Sequence, residues 1–336
     1  MLEVTLKHDD LVFGEGFSLN FQRTLRIPDD GKTYPLPPGL GTFPVCKVED
    51  YKERVPETWA EHGGVFIPMY QREALWISFR PRYWKPNAVK IAIGKVNAVS
   101  GKPWHQELRS DEKDYLVCPP QPWLDGINAG EGTIRQFVAM PLGMGYTVEA
   151  QVTGEETFGG IQIIVYEPKP GKFPDQPPER DVAYRVSDGM LYAAAPAMAR
   201  PLAGAEMGLA AGGKMKQKIY PDPHGIDTWD AENHGRSYVH IVNSMMYREL
   251  TGKEPPPTPV TAKTYAQYGL PWFDLYDDKM EDISASDVLK KVKSVKEKDQ
   301  EKGFTSQQDD EPVDVPEDKV IKYKMDSDEG VKDGDW

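Results

Sequence analysis

The sequence has few cysteines and no long hydrophobic run. Its two cysteines, Cys46 and Cys118, lie far apart and neither belongs to a CxxC pair. This spacing excludes a disulfide framework, a cysteine zinc site and a thioredoxin-like motif. No apolar stretch approaches the ~18 residues that a transmembrane helix needs. The first ten residues lack the basic start and apolar stretch of a secretory signal. We therefore expect a soluble, cytoplasmic protein.

Basic residues are in deficit as well. The 336 residues include 40 Lys and Arg against 53 Asp and Glu, which gives a formal net charge of -13. Affinity for nucleic acids and for anionic membranes begins with clustered Lys and Arg, so we expect neither as a partner. Residues 303–336 contain 11 of the acidic residues and four lysines. This region has too few apolar groups to offset the entropy of ordering, and we expect a disordered acidic tail. The alternating pattern of 320–325 allows one exception, a strand added to a sheet edge.

Strand patterns dominate residues 1–167. Short runs of β-branched and aromatic residues are bounded by Gly, Pro or Asp, as in 88–99, which contains Val89, Ile91 and Ile93. No ten-residue helical period separates successive runs, and this favours antiparallel pairing over βαβ crossovers. We predict a mainly β (α+β) protein with an antiparallel sheet, sandwich or barrel in the first half and a small helical C-terminal part.

Proline and small residues divide the rest of the chain. Five prolines fall within 168–178, and alanine, methionine and glycine dominate 190–213. We predict a β-rich core over 1–167, a Pro-rich connector with Ala/Met/Gly-rich loops over 168–235, and a helical segment packed on the core over 236–302. Apolar spacing and capping residues predict individual helices at 238–250, from Ser284 or Ser286 to Gly303, at 261–268 and at 56–63.

A glycine-rich stretch, 208–215, satisfies the pattern GxxxxGK of phosphate-binding loops. Met215 stands where that loop needs a Ser or Thr hydroxyl to bind magnesium, and no strand is predicted before it. No serine lies in a GxSxG motif, and neither cysteine has a flanking signature of thiol catalysis. The sequence therefore offers no recognised nucleotide-binding or nucleophile motif.

Three of the six histidines fall within 224–240, next to several aspartates. Carboxylate and imidazole groups can hold a divalent metal, and a bound metal would activate water for hydrolysis. The candidate metal ligands are Asp222, His224, Asp227, Asp230 and His234. HExxH is absent, and aspartates are common turn formers, so a purely structural loop is the alternative interpretation.

Aromatic and basic residues are interleaved over 70–84. This combination can stack on sugar rings or bases, and the candidate ligand-binding residues are Tyr70, Arg72, Trp76, Arg80 and Trp84. The alternative is that the aromatic rings pack in the core while the arginines extend to solvent.

These patterns favour a non-catalytic binding or structural protein that acts through protein contacts, including self-association. Two other hypotheses remain: a metal-assisted hydrolase centred on 222–240, and a module that binds a glycan or other ring ligand at 70–84. We predict no organic cofactor; a divalent metal enters only with the hydrolase hypothesis.

Overall fold

The computed structural model describes residues 1–178, 206–276, 280–284, 286–305 and 307–324. Strands are the predominant regular secondary structure in this part of the chain, which also contains five α-helices. The strands are β1 (Val4–Lys7), β2 (Asp10–Phe13), β3 (Phe17–Thr24), β4 (Thr33–Tyr34), β5 (Gly39–Thr42), β6 (Cys46–Lys47), β7 (Val65–Met69), β8 (Ala74–Pro81), β9 (Asn87–Ile93), β10 (Val96–Asn97), β11 (Leu116–Cys118), β12 (Trp123–Leu124), β13 (Gly126–Gly130), β14 (Thr133–Pro141), β15 (Ile161–Pro168), β16 (Glu206–Lys216), β17 (Trp229–Asn243), β18 (Trp272–Tyr276) and β19 (Val320–Lys324). The helices are α1 (Glu57–His62), α2 (Val148–Thr153), α3 (Ser244–Thr251), α4 (Ala262–Gln267) and α5 (Val295–Glu301).

Seventeen of these strands belong to one hydrogen-bonded network, which is mostly antiparallel. One series of neighbours is β1, β2, β3, β8, β14, β16 and β17, and β17 also pairs with β15, which pairs with β9. Two short pairings are parallel, β4 with β16 and β7 with β17. The backbone N–H of Leu2 donates to the carbonyl of His234 at 2.9 Å, which brings the first hairpin onto β17. The predicted mainly β, antiparallel class is confirmed.

Alternation along β8 shows how the sheet separates core from surface. Leu75, Ile77 and Phe79 are buried in the main hydrophobic core, whereas Trp76 and Ser78 are half-buried on the other face. Successive side chains of a strand point to opposite faces, so one apolar set fills the core and the other remains available for contacts. None of the helices in the described ranges is long and apolar enough to cross a bilayer.

The sheet extends beyond the first half of the chain. The sequence predicted loops over 168–235, but Glu206–Lys216 is a buried strand that pairs with β14 along most of its length. Its glycines are required because there is no room for a side chain. A Cβ on Gly213 would lie 2.4 Å from the carbonyl oxygen of Pro28, and a Cβ on Gly212 would lie 2.7 Å from the Val138 side chain. The residues that match the GxxxxGK pattern therefore belong to a strand, and their glycines allow neighbouring groups to approach it closely. The part of the predicted loops at 179–205 lies outside the described residues.

The helix predicted over 238–250 is wrong in its first half. Strand β17 continues to Asn243, and α3 begins only at Ser244. The side chain of Asn243 caps α3 by accepting from the N–H of Met245 at 3.0 Å. The apolar residues of 238–242 pack equally well on a strand, because Val239 and Ile241 enter the main core while Val242 packs in a second buried cluster.

The helix predicted from Ser284 or Ser286 to Gly303 is interrupted. Residues Leu289–Lys291 form a single 3-10 turn, and α5 starts anew at Val295. Ser294 and Glu297 form a capping box at that start, a signal that the sequence pattern alone did not separate from the preceding turn. The two shorter predicted helices are confirmed as α1 and α4.

Part of the predicted acidic tail packs against the sheet. Asp310 and Val313 are buried, and β19 pairs in parallel with β18. This is the strand that the pattern of 320–325 allowed. The composition of 307–324 suggested solvation, but buried arginines pair with its aspartates. Residues 325–336 lie outside the described residues.

Candidate functional site

Two tryptophans meet on the outer face of the sheet. Trp76 lies on β8 and Trp123 on β12, and these strands pair with Trp123 opposite Ser78. The ring centroids are 6.0 Å apart and the ring planes are inclined by 69°. Both side chains are half-buried rather than enclosed. Together they form an aromatic surface that remains accessible to solvent.

This surface forms part of a cleft, which we call the aromatic cleft. It consists of two adjoining cavities of about 540 and 320 Å³ that share Leu36 and Trp123. The smaller cavity is lined by Leu36, Pro37, Pro38, Gly39, Trp76, Trp123, Asp125 and Phe273. The larger cavity is lined by Thr33, Leu36, Gln121, Pro122, Trp123, Glu131, Gly132, Thr133, Lys216, Gln217, Lys218, Tyr220, Asp274 and Lys322. The smaller cavity is mostly apolar, and charged groups border the larger one.

Hydrogen bonds fix the position of Trp123. Its carbonyl oxygen accepts from the side-chain amides of Gln121 at 3.0 Å and Gln217 at 3.2 Å. Its indole N–H donates to the Asp125 carboxylate at 2.5 Å, and the backbone N–H of Asp125 donates to the side-chain oxygen of Gln217 at 3.0 Å. Because both the backbone and the indole N–H of Trp123 are held by hydrogen bonds, its ring needs little further ordering when a ligand stacks on it.

Asp125 is the most perturbed carboxyl of the cleft. Its side chain is only slightly exposed, and within the described residues no cationic side chain forms an ion pair with it. Burial raises the pKa of Asp125 to about 7, although the bond from the Trp123 indole favours the ionised form. A carboxyl with a shifted pKa in the wall of a cleft is a feature that functional sites share.

Of the five ligand-binding residues predicted within 70–84, only Trp76 lines the cleft. The Tyr70 hydroxyl donates to the carbonyl of Pro256 at 2.9 Å. Arg72 is surrounded by carboxylates at another position in the fold.

The other two residues of that set lie farther along the chain. Arg80 pairs with Asp10 at 3.1 Å, and Trp84 lies after β8, with the Arg82 guanidinium 5.7 Å from its ring centroid. The structure therefore does not bring the five residues together. Trp123, which lies outside the predicted stretch, lines the cleft beside Trp76 instead.

The five metal ligands predicted within 222–240 also have separate structural contacts. Asp222 accepts hydrogen bonds from the Tyr115 hydroxyl at 2.7 Å and the Trp229 indole at 2.9 Å. Asp230 accepts from the backbone N–H of Glu232 at 3.0 Å. Such bonds are typical of the structural loop that was the alternative interpretation.

The remaining members of that set follow the same pattern. The His224 ring lies between the rings of Phe173 and Trp229, and His234 Nδ1 is 2.8 Å from the carbonyl of Ala231. Asp227 lies in a short 3-10 turn. In the described ranges, no metal-sized group of donor atoms includes any of the five.

A group of metal-ligand type does occur elsewhere, in the loop between β10 and β11. One donor atom each from His105, Glu112 and Asp114 lies within 4.8 Å of the other two. His105 Nε2 is 3.1 Å from Glu112 Oε2 and 3.2 Å from Asp114 Oδ2. We call this group the His105 triad. No sequence pattern predicts this group, because the three residues follow no known ligand spacing and only the folding of the loop brings them together.

A buried lysine already offsets part of the negative charge of the His105 triad. Lys90 on β9 is fully buried, and its Nζ lies 2.6 Å from Asp114 Oδ2 and 3.0 Å from His105 Nδ1. Burial lowers the pKa of Lys90, while the bond to Asp114 favours the ammonium form. An ammonium that donates to Nδ1 leaves the ring proton on Nε2, the atom that a metal would need. The triad therefore has the donor atoms of a metal site, but the Lys90 ammonium supplies the positive charge that a metal ion would otherwise provide.

No protein-family model matches this sequence, and no curated protein and no solved structure shows significant similarity to it.

Proposed function

We propose that this chain is a non-catalytic binding protein that holds a ring-bearing ligand, a glycan in the first instance, in the aromatic cleft. The observation that carries the proposal is the Trp76 and Trp123 pair, whose half-buried rings line a cleft. The two cavities fall within the ~300–1,000 Å³ range of small-molecule sites. Flat aromatic faces bind the apolar face of a sugar ring, and nearby polar groups can bind its hydroxyls.

The charges of the cleft favour a neutral polyol over a nucleic acid. Three lysines and two carboxylates line the larger cavity, namely Lys216, Lys218, Lys322, Glu131 and Asp274. Lys216 and Asp274 pair at 3.1 Å, so much of that charge is compensated within the cleft. Binding to a phosphate backbone needs a clear excess of cations, whereas the larger cavity has only one more lysine than carboxylates and the chain carries a net charge of -13. Donors and acceptors of both kinds suit hydroxyl groups, which both donate and accept.

Exposed apolar side chains support the protein-contact proposal less specifically. They are spread over separate elements: Met245 on α3, Tyr268 after α4, Phe304 after α5 and Ile321 on β19. Single exposed apolar residues are normal on protein surfaces, and only contiguous patches indicate an interface. The aromatic cleft is therefore the stronger basis for a binding function.

The Trp76→Ala variant tests the proposal in a glycan-array screen followed by titration of each positive glycan. Stacking on one aromatic ring contributes about 1–3 kcal/mol, so we expect the variant to bind about 5- to 150-fold more weakly than the unmodified chain. Trp84→Ala is the matched control, because Trp84 lies beyond the same strand and lines neither cavity. Equal losses in the two variants, or no binding to any glycan by the unmodified chain, would contradict the proposal.

A further inference from the structure

Arg72 lies in the turn before β8, and its side chain contacts three carboxylates from the C-terminal part of the chain. Its guanidinium lies 2.7 Å from Asp299, 2.8 Å from Asp309 and 2.8 Å from Asp310. Arg26, which follows β3, binds the same last two aspartates, with Asp310 at 2.7 Å. The Asp310 side chain is fully buried. We call these five residues the ionic clamp; it joins the chain after α5 to the main sheet.

The chain runs from the clamp into the wall of the aromatic cleft. Val313 is buried, and its backbone N–H contacts the Tyr34 hydroxyl at 3.3 Å. Tyr34 immediately follows Thr33, which lines the larger cavity. Its ring packs against Trp272 on β18, with the ring centroids 6.3 Å apart. The segment 307–319 therefore runs from the clamp past Tyr34 to the start of β19.

The wall is a small unit of its own. Strands β18 and β19 form a separate two-stranded sheet that contributes Phe273, Asp274 and Lys322 to the cavities. Backbone bonds between Leu36 and Phe273 and the Lys216 pair with Asp274 connect β18 to the rest of the cleft. Trp272 also anchors β18, because its side chain is buried in the main hydrophobic core. An isolated two-stranded sheet is marginally stable, so the position of β19 depends on β18 and on what holds the segment leading into β19.

We infer that Arg72 is a positioning residue for the aromatic cleft: through the ionic clamp it holds the segment 307–324, whose strand β19 pairs with β18 and contributes Lys322 to the larger cavity. This inference builds on the proposed function and gives Arg72 an indirect role in place of the ligand contact predicted from the sequence. When the clamp is weakened, the segment opens locally while the core of the sheet stays closed, since its hydrogen bonds do not involve the clamp.

Hydrogen exchange measured by mass spectrometry on the full chain tests this inference. We expect Arg72→Met and Asp309→Asn to speed exchange in peptides from 311–324 at least tenfold, with no change in β8. Asp309→Asn is the milder variant, because the amide keeps the size of the carboxylate, and it carries the test if Arg72→Met does not fold. Arg135→Met is the control: it removes the 3.1 Å pair with Glu297 on α5 but contacts nothing in 307–324.

Acrylamide quenching of tryptophan fluorescence provides the second measurement. We expect the clamp variants to raise the quenching constant about twofold, and we expect a smaller rise when Trp76 and Trp123 are both replaced by Phe, because the buried Trp272 on β18 still reports the opening. Unchanged exchange in 311–324, equal acceleration in β8, or unchanged quenching would overturn the inference. Neither measurement needs a bound glycan. A negative glycan screen with selective opening would therefore refute the proposed function and leave the clamp's positioning role standing.

Discussion

Replacing Lys90 with methionine is expected to destabilise the protein by about 3–5 kcal/mol, the usual effect of removing one partner from a buried ion pair. The Lys90 ammonium lies 2.6 Å from Asp114, and both side chains are almost completely buried. Methionine fills a similar volume but leaves the carboxylate of Asp114 without its buried cation. Equilibrium denaturation with urea at pH 7 measures the loss.

The double variant Lys90→Met/Asp114→Leu is the control for this prediction. It removes both charges at once, so it is expected to recover most of the lost stability. A single variant that loses less than about 1 kcal/mol would show that the pair is not buried in solution, because exposed pairs contribute no more than that.

Zinc should separate the two interpretations of the His105 triad. In the unmodified chain the Lys90 ammonium competes for the charge and the ring nitrogen that a metal needs, so we expect Zn²⁺ to leave the melting temperature unchanged. In Lys90→Met the three donor atoms remain without that buried cation, and we expect Zn²⁺ to raise the melting temperature and EDTA to reverse the effect. Equal stabilisation of both proteins would show that Lys90 is not the cation of this site.

The largest pH effect is expected from Asp125. Its folded-state pKa is about 7, whereas an unfolded chain has an aspartate pKa of about 3.9. A raised pKa gives stability that is complete below the unfolded value and is lost as the pH rises through the folded value. With a difference of about three units, the loss between pH 4 and pH 8 is about 4 kcal/mol.

Asp125→Asn removes this ionisation and keeps an oxygen that can accept from the Trp123 indole. We expect the variant to gain about 4 kcal/mol over the unmodified chain between pH 4 and pH 8 and to be the more stable protein at pH 8. Denaturant titrations at several pH values measure the gain. Asp29, whose pKa burial raises to about 6, contributes equally to both proteins and cancels in the difference. A gain that does not change with pH would show that Asp125 is ionised throughout.

Alternation was the part of the fold that could be predicted. Residues 89–93 and 75–79 carry large apolar groups at every second position, and they lie within β9 and β8. Strand β16 was missed because Gly212 and Gly213 lack side chains that favour strands; neighbouring backbone and Val138 leave no room for a Cβ there. That constraint comes from tertiary packing and has no local signal.

The site was predictable only in part for a similar reason. Trp76 was singled out, but its partner Trp123 lies on a strand 47 positions later, and only the register of β12 against β8 brings the rings together. The acidic residues of 307–324 were interpreted as solvated because their composition resembles a tail. Asp309 and Asp310 are instead held by Arg26 and Arg72, which lie more than 200 positions earlier in the chain.

The central claim is that Trp76 and Trp123 form the ligand-binding surface. Its most direct test is an NMR titration of the full chain labelled with ¹⁵N at its eight tryptophan indoles, with signals assigned by single substitutions. On addition of each glycan that binds in the array, we expect saturable shifts of the Trp76 and Trp123 signals and little change in the other six. Shifts confined to other indoles such as Trp84 or Trp104 would contradict it.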